Sequence, residues 1–291
     1  LIDFSSVEQI IAAAEAENLA ISDIVLRQSA ADIRVDEADI YRRMARSFEV
    51  MKESIKEGCV ADIRSLSGLT NNEAHLYKNH IKSGKSLAGK LLGEAVYSSI
   101  AVMSTNACMG RIVATPTAGS SGVLPGCLMA LMNNLGIEND KAVRGLINAS
   151  GIGMVIARNA SISGAVGGCQ AECGSAAAMA ASALAEIMGG SPRMCGHAAA
   201  LALKSLMGLV CDPVAGLVEE PCVIRNAASA SVAIISADMA LAGIISIIPI
   251  DEVIFAMGEV GDALPSSLKE TAEGGLANTP TARRIEKELF S

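Results

Sequence analysis

The sequence predicts an all-α fold built on Ala- and Gly-rich buried helices, and three observations carry that prediction. Hydrophobic residues make up 51% of the chain while aromatic residues make up 2%, with no Trp, so the core must be packed from Ala, Leu, Ile, Val and Met. Small side chains let helices approach closely, which suits a helical interior. Apolar residues recur at helical spacing between capping signals, and the few β-branched runs are short and lie inside helical-length segments.

Taken in order, Ser5-x-x-Glu8 is a capping box that opens a helix through about Glu17. Residues 36–58, DEADIYRRMARSFEVMKESIKEG, form a second helix with acids in the first turn and Gly58 at the end. SGLTNNEA reads as a turn into another helix. From about Val96 the character changes. Between Arg144 and Gly190 the only charges are Arg144, Arg158, Glu172 and Glu186, so this stretch is expected to have protein on nearly every side. Residues 232–250, VAIISADMALAGIISIIPI, are as long as a membrane span, but Asp238 sits at their middle, and a fully buried helix of an all-α core is the expectation. No linker or repeat divides residues 1–291, which predict one helical domain with a more exposed N-terminal layer over residues 1–95.

Composition also bounds function. A net charge of −8 and the scarcity of aromatic rings exclude a nucleic-acid surface. The N-terminal stretch carries acids and no basic region before an apolar run, so it does not read as a signal peptide. Eight cysteines without that signal predict a cytoplasmic protein with free or metal-bound thiols rather than a disulfide framework.

Three constellations could carry chemistry. Cys169 follows Gly167 and Gly168, Cys211 comes 42 positions later, and Cys222 follows after 11 more. Glycines leave room beside Cys169, and Pro213, Gly216 and Pro221 stiffen the segment between the other two. Three thiolates on a four-iron cluster would leave one iron open as a Lewis acid. Spacing alone leaves two other readings: small buried hydrophobes, which is the expectation for Cys59, Cys108, Cys127, Cys173 and Cys195, and a zinc site from Cys169, Cys173, Cys195 and His197. In RIVATPTAGSSGVLPG, Thr115, Thr117, Gly119, Ser120, Ser121 and Gly122 precede a helix expected near Val123 and form a candidate carboxylate site. A polar turn would account for the same residues. Arg225 and Asn226 lie within one turn of Cys222 and are candidates for contacting a substrate or the cluster. His75 and His80 fall in a charged helix, and His197 reads as a core histidine. No general base stands out.

The blocks TPTAGSSGVLPG, GGCQAECGSA, MGLVCDPVAGLVEEPCVIRNA and LKETAEGGLANTPTA occur in the order found in the α chains, or catalytic domains, of iron–sulfur-dependent bacterial L-serine dehydratases, which this sequence resembles from about residue 40 onward. The resemblance implies a [4Fe–4S] cluster on Cys169, Cys211 and Cys222, L-serine as substrate, and β-elimination of water to give pyruvate and ammonia. The second-domain motif of the type GPSSSHT is missing from the sequence, which implies a separate β subunit and a hetero-oligomer. L-cysteine desulfidation on the same scaffold, or a non-catalytic helical protein with buried thiols, are the competing expectations.

Overall fold

The computed structural model describes residues 4–291. The helices are α1 (Val7–Glu17), α2 (Ile21–Ile33), α3 (Glu37–Gly58), α4 (Glu73–Lys82), α5 (Gly89–Ala107), α6 (Val123–Leu135), α7 (Asn139–Asn159), α8 (Gly164–Gly167), α9 (Ser175–Ile187), α10 (Pro192–Leu206), α11 (Cys222–Leu241), α12 (Ile250–Ala263) and α13 (Pro280–Phe290). Among the described residues there is no strand, only an isolated parallel bridge between Cys211 and Lys269. The expected all-α class is the observed one.

The axis of the molecule is α9, SAAAMAASALAEI, where every residue except Glu186 is buried. With so little side-chain bulk its neighbours come close on all sides, and α6, α7, α10 and α11 surround it. Two polar groups tie this apolar axis to α7: Ser182 Oγ donates to Asn148 Oδ1 (2.7 Å), and Asn148 Nδ2 donates to Glu186 Oε2 (2.7 Å). α5 packs between α6 and α11, with α3 and α4 outside it. The closest approach is at Gly58 of α3, where a Cβ would stand 1.7 Å from the Ala101 carbonyl oxygen. Gly58 therefore does more than end its helix; it lets α3 lie directly on α5.

Two local expectations are corrected. α1 is capped by Ser6, not Ser5: Ser6 Oγ accepts from the Gln9 N–H (3.2 Å), while Asp251 of α12 accepts from the N–H groups of Val7 (2.8 Å) and Glu8 (2.9 Å). The orphan donors of the first turn are met by a carboxylate from the far end of the chain, and Glu8 pairs with Arg193 instead of closing a capping box. Residues 232–250 are also not one buried helix. α11 stops at Leu241, where Gly243 takes φ 90°, its N–H donates to Ala240 and the Ile244 N–H donates back to Met239. This is a Schellman ending, which a left-handed glycine permits. Asp238 is exposed, and so are Ile244, Ile245, Ile247 and Ile248. Among the described residues no helix is long and apolar enough to cross a membrane.

A methyl group at Gly58 has nowhere to go, because the atom it meets is backbone. Gly58→Ala should destabilise the protein by about 3 kcal/mol, the upper end of ordinary overpacking. Gly258→Ala in α12, where a Cβ would meet only Ala160 at ordinary contact distance, should be neutral or stabilising by up to about 1 kcal/mol through helix propensity. Urea denaturation of the two variants beside the parent checks both.

Candidate active site

Three helical segments begin at one place. α6 starts after Gly122, α11 starts at Cys222, and α9 is entered through a π-helical turn, Gln170–Gly174, that follows directly on Cys169. In that turn the Ser175 N–H reaches back to the Gln170 carbonyl, which inserts a residue into the helical repeat and re-aims the side chains around it. Helix N-termini carry unpaired N–H groups and the positive end of the peptide dipoles, so their convergence favours anionic ligands and thiolates.

Asn226, which has no exposed surface, ties these starts together. Its Oδ1 accepts from the Gly122 N–H (2.9 Å), and its Nδ2 donates to the carbonyls of Gly119 (2.7 Å) and Cys222 (2.9 Å) and lies 3.9 Å from Cys173 Sγ. The hydroxyl loop is mostly occupied with itself. Ser120 Oγ donates to the Thr115 carbonyl (3.1 Å), Thr115 Oγ1 reaches the Ser121 carbonyl (3.5 Å), and Ser121 Oγ lies against Met103 Sδ (3.4 Å). Thr117 is the half-buried hydroxyl that leaves the loop, donating to Glu172 Oε1 (2.7 Å).

Cys169, Cys173 and Cys211 pack as one buried cluster against Leu209, whereas Cys222 packs in a neighbouring buried cluster with Ile100, Met103 and Val223, its charge acting on Cys169 and Cys211 across the gap. Gly168 precedes this group with φ 78°, and a Cβ there would stand 2.9 Å from the Leu209 carbonyl oxygen, so only glycine allows the two cysteine segments to meet. Gln170, also without exposed surface, fastens them. Its Nε2 donates to the carbonyls of Gly167 (2.9 Å) and Met257 (3.2 Å), its Oε1 accepts from the Gly208 N–H (2.8 Å), and its backbone N–H donates to Leu209 (2.9 Å).

A strap from the C-terminal part of the chain holds Cys211 from its other side. The Cys211 N–H donates to the Leu268 carbonyl (2.9 Å) and the Glu270 N–H to the Cys211 carbonyl (2.8 Å). Asp212 extends the grip, accepting from the Leu276 N–H (2.7 Å) and pairing with Arg225 (2.7 Å), which also donates to the Val210 carbonyl (2.8 Å). Glu270 and Ala272 sit at φ 65° and 56°, an uncommon conformation for residues with a Cβ.

The electrostatics follow from this crowding. A hydrogen bond from Cys173 holds the Cys169 thiol below the usual range, with the Arg225 charge assisting against desolvation; the same bond, then burial, pushes Cys173 up. Burial and the neighbouring cysteines raise Cys211, and burial pushes Cys222 up to about 12. Cys169 is thus the thiol of the group that ionises most readily, while Cys173, Cys211 and Cys222 are held protonated by burial and by one another. Burial also lifts Glu172 above the ordinary carboxylate range, the Thr117 hydrogen bond opposing and Glu270 adding to the shift.

Among the described residues no three His, Cys, Asp or Glu side chains converge on a point that would chelate a single ion. A cluster makes a different demand, because its ligands attach to different iron corners and need only face one cradle. Gly164 lets the backbone lie close against both groups, since a Cβ there would stand 2.9 Å from Cys211 Sγ and 2.8 Å from Glu172 Oε2. Buried thiols supplied by separate segments are donors of the type an iron–sulfur group takes. The zinc set finds no support: Cys195 is enclosed in the main hydrophobic core, and His197 accepts from the Ser246 N–H (3.3 Å) with its pKa lowered by burial. Cys59 and Cys108 are only half-buried.

Sequence patterning missed Gln170, Glu172, Asp212 and Glu270; Cys173 is a small buried hydrophobe, as expected, set against Cys169 and Cys211. The scarcity of charge between Arg144 and Gly190 was a usable signal for Glu172, since a carboxylate in so apolar a run needs a reason to be there.

A family model described as serine dehydratase alpha chain matches residues 16–277. The chain is 48% identical over 287 residues to a protein of Bacillus subtilis (strain 168) named "Probable L-serine dehydratase, alpha chain", covering 99% of this chain and 95% of that one. It is 40% identical over 290 residues to the "L-serine dehydratase, alpha chain" of Peptoniphilus asaccharolyticus, covering 98% of each. To the "L-serine dehydratase" of Streptomyces coelicolor it is 37% identical over 278 residues, covering 94% of this chain but 60% of that longer protein.

Asp212→Ala removes the acceptor of Leu276 and leaves Arg225, itself largely buried, without its carboxylate. Losing one partner of a buried pair costs about 3 kcal/mol or more. Hydrogen exchange should show residues 266–279 released selectively, ahead of the helices around α9.

Proposed function

Because the chain belongs to the serine dehydratase alpha chain family, we propose that it is the catalytic α subunit of an L-serine dehydratase, converting L-serine to pyruvate and ammonia. The observation that supports this reading is that Cys169 and Cys211, 42 residues apart in sequence, pack in one buried cluster, with Cys222 at the start of α11 near enough for its charge to act on both. Those three thiolates would hold a [4Fe–4S] cluster. When bound, such a cluster supplies an iron without a protein ligand, a Lewis acid suited to drawing hydroxide from the serine β-carbon.

The chain's own residues provide the rest. The starts of α6 and α11 give positive dipole ends for the substrate carboxylate, and the hydroxyl loop of Thr115, Thr117, Gly119, Ser120, Ser121 and Gly122 shapes the approach. Within it, Thr117 is the hydroxyl turned toward the cradle. Arg225 is a fixed positive charge beside the thiolates, and Asn226 holds the loop against Cys222. Burial of the thiols excludes water that would compete for the iron. Elimination leaves aminoacrylate, which tautomerises to the imine and hydrolyses to pyruvate and ammonia. A separate β subunit would complete the enzyme as a hetero-oligomer. The α-chain names of two relatives and the greater length of the Streptomyces coelicolor relative support that expectation. A reducing cytoplasm suits the eight free cysteines.

Anaerobic reconstitution should yield about four iron and four acid-labile sulfide per chain with the matching visible absorption, and pyruvate should form from L-serine in the assembled enzyme. Cys211→Ser should lose the iron signal while keeping the helical circular-dichroism spectrum. A folded parent that takes up neither iron nor sulfide overturns the proposal.

A further inference from the structure

Elimination from serine needs a group that removes the proton on the α-carbon, and the titratable side chains around the cradle can be taken one by one. Cys169, Cys211 and Cys222 are committed to the cluster. Asp212 is engaged by Arg225 and the Leu276 N–H, and Arg225 is a cation held by Asp212 and Val210. Cys173 is fully buried behind Asn226, and Glu270 is exposed on the strap. Glu172 is different in each respect. It is half-buried rather than sealed off, and one oxygen is fixed by Thr117 while the other faces Gly164 beside Cys211.

Two glycines fix the attitude of this carboxylate. A Cβ at Gly119 would stand 3.0 and 3.1 Å from its two oxygens, and one at Gly164 would stand 2.8 Å from Oε2. The backbone thus closes on the carboxylate from both sides, and the π turn sets its direction along the helix. Preorganisation of this kind is what a proton-transfer group requires.

On the reading of this chain as a serine dehydratase, we infer that Glu172, oriented by Thr117, is the general base that removes the α-proton of the bound amino acid. The carboxylate takes the proton from Cα, the Cα–H electron pair becomes the Cα–Cβ double bond, and the Cβ–O pair departs with the hydroxyl oxygen. The departing hydroxide takes up the proton held by the Glu172 carboxyl, directly or through solvent, so that water leaves and the carboxylate is restored for the next turnover. Thr117 Oγ1 stays a donor to Oε1 throughout and leaves Oε2 for the proton.

The test uses the reconstituted, assembled enzyme and three readouts: iron and sulfide per chain, the change in the visible spectrum on adding L-serine, and turnover of L-serine and of serine deuterated at Cα. Glu172→Gln keeps the shape and the Thr117 hydrogen bond but has no basic oxygen. It should load iron as the parent does, keep the serine-induced spectral change, and lose about 10²- to 10⁴-fold in kcat. Glu172→Asp should keep iron and part of the turnover, with a larger deuterium effect because proton removal from a shorter carboxylate becomes slower. Turnover of Glu172→Gln within about threefold of the parent at equal iron content overturns the inference. So does a loss of iron in step with activity in both variants, which would make Glu172 a support for the cradle. A parent that loads iron yet leaves serine unchanged is a separate result: it removes the serine reading itself, and this inference with it.

Discussion

The side-chain amide of Asn226 is the interaction on which the cradle depends, because it is the one group that touches the hydroxyl loop, the start of α6 and the start of α11 together. Its three short hydrogen bonds connect Gly119, Gly122 and Cys222, the longest reaching back 107 residues from Asn226 to Gly119. An amide can do this and a carboxylate cannot, since one end must accept and the other must donate twice. Being buried, it also cannot be exchanged for an apolar residue without taking away the partner of the Gly122 N–H and of the Gly119 carbonyl. Asn226 was a candidate for touching substrate from its place beside Cys222. Its donors and acceptor are spent inside the protein, and its service to the site is geometric.

Around that clamp the structure spends its smallest residues. α9 is an Ala and Ser rod that lets four helices close on it, and the same economy of side chain continues into Gly164, Gly167 and Gly168 at its entrance. Small residues serve two ends here. In the axis they allow helices to pack closely, and at the entrance they let the backbone lie directly against Cys211, Glu172 and Leu209. The change occurs within a few residues, at the π turn, where the helical repeat is broken and Glu172 and Cys173 are turned relative to a regular helix.

The helical class, the helix over residues 36–58 and the helix start at Val123 were legible in the sequence because periodicity and caps are local. Cys169, Cys211 and Cys222 stood out through their Gly and Pro neighbours and through a resemblance, and spacing alone left them open. What could not be read was whatever depends on distant partners. Asp251 caps a helix that begins 244 residues earlier, Gln170 binds Gly208 and Met257, and the strap reaches Cys211 through backbone groups that carry no residue code. Cys173 illustrates the same limit, since in sequence it looks like any small buried hydrophobe and only the fold sets it against Cys169. The run over residues 232–250 failed for another reason: its hydropathy is uniform, but a single left-handed glycine at 243 divides it.

The strap has a consequence for the order in which the molecule can be made. Cys211 takes its place through backbone bonds to Leu268 and Glu270, and Asp212 through Leu276, so these segments must exist before the loop between α10 and α11 is finished. A growing chain that has already delivered all eight cysteines still lacks the piece that sets Cys211. The seat of Cys211 is therefore completed late in the life of the polypeptide, in chains whose synthesis has run past residue 276, and an interrupted chain leaves that loop without its second set of backbone partners.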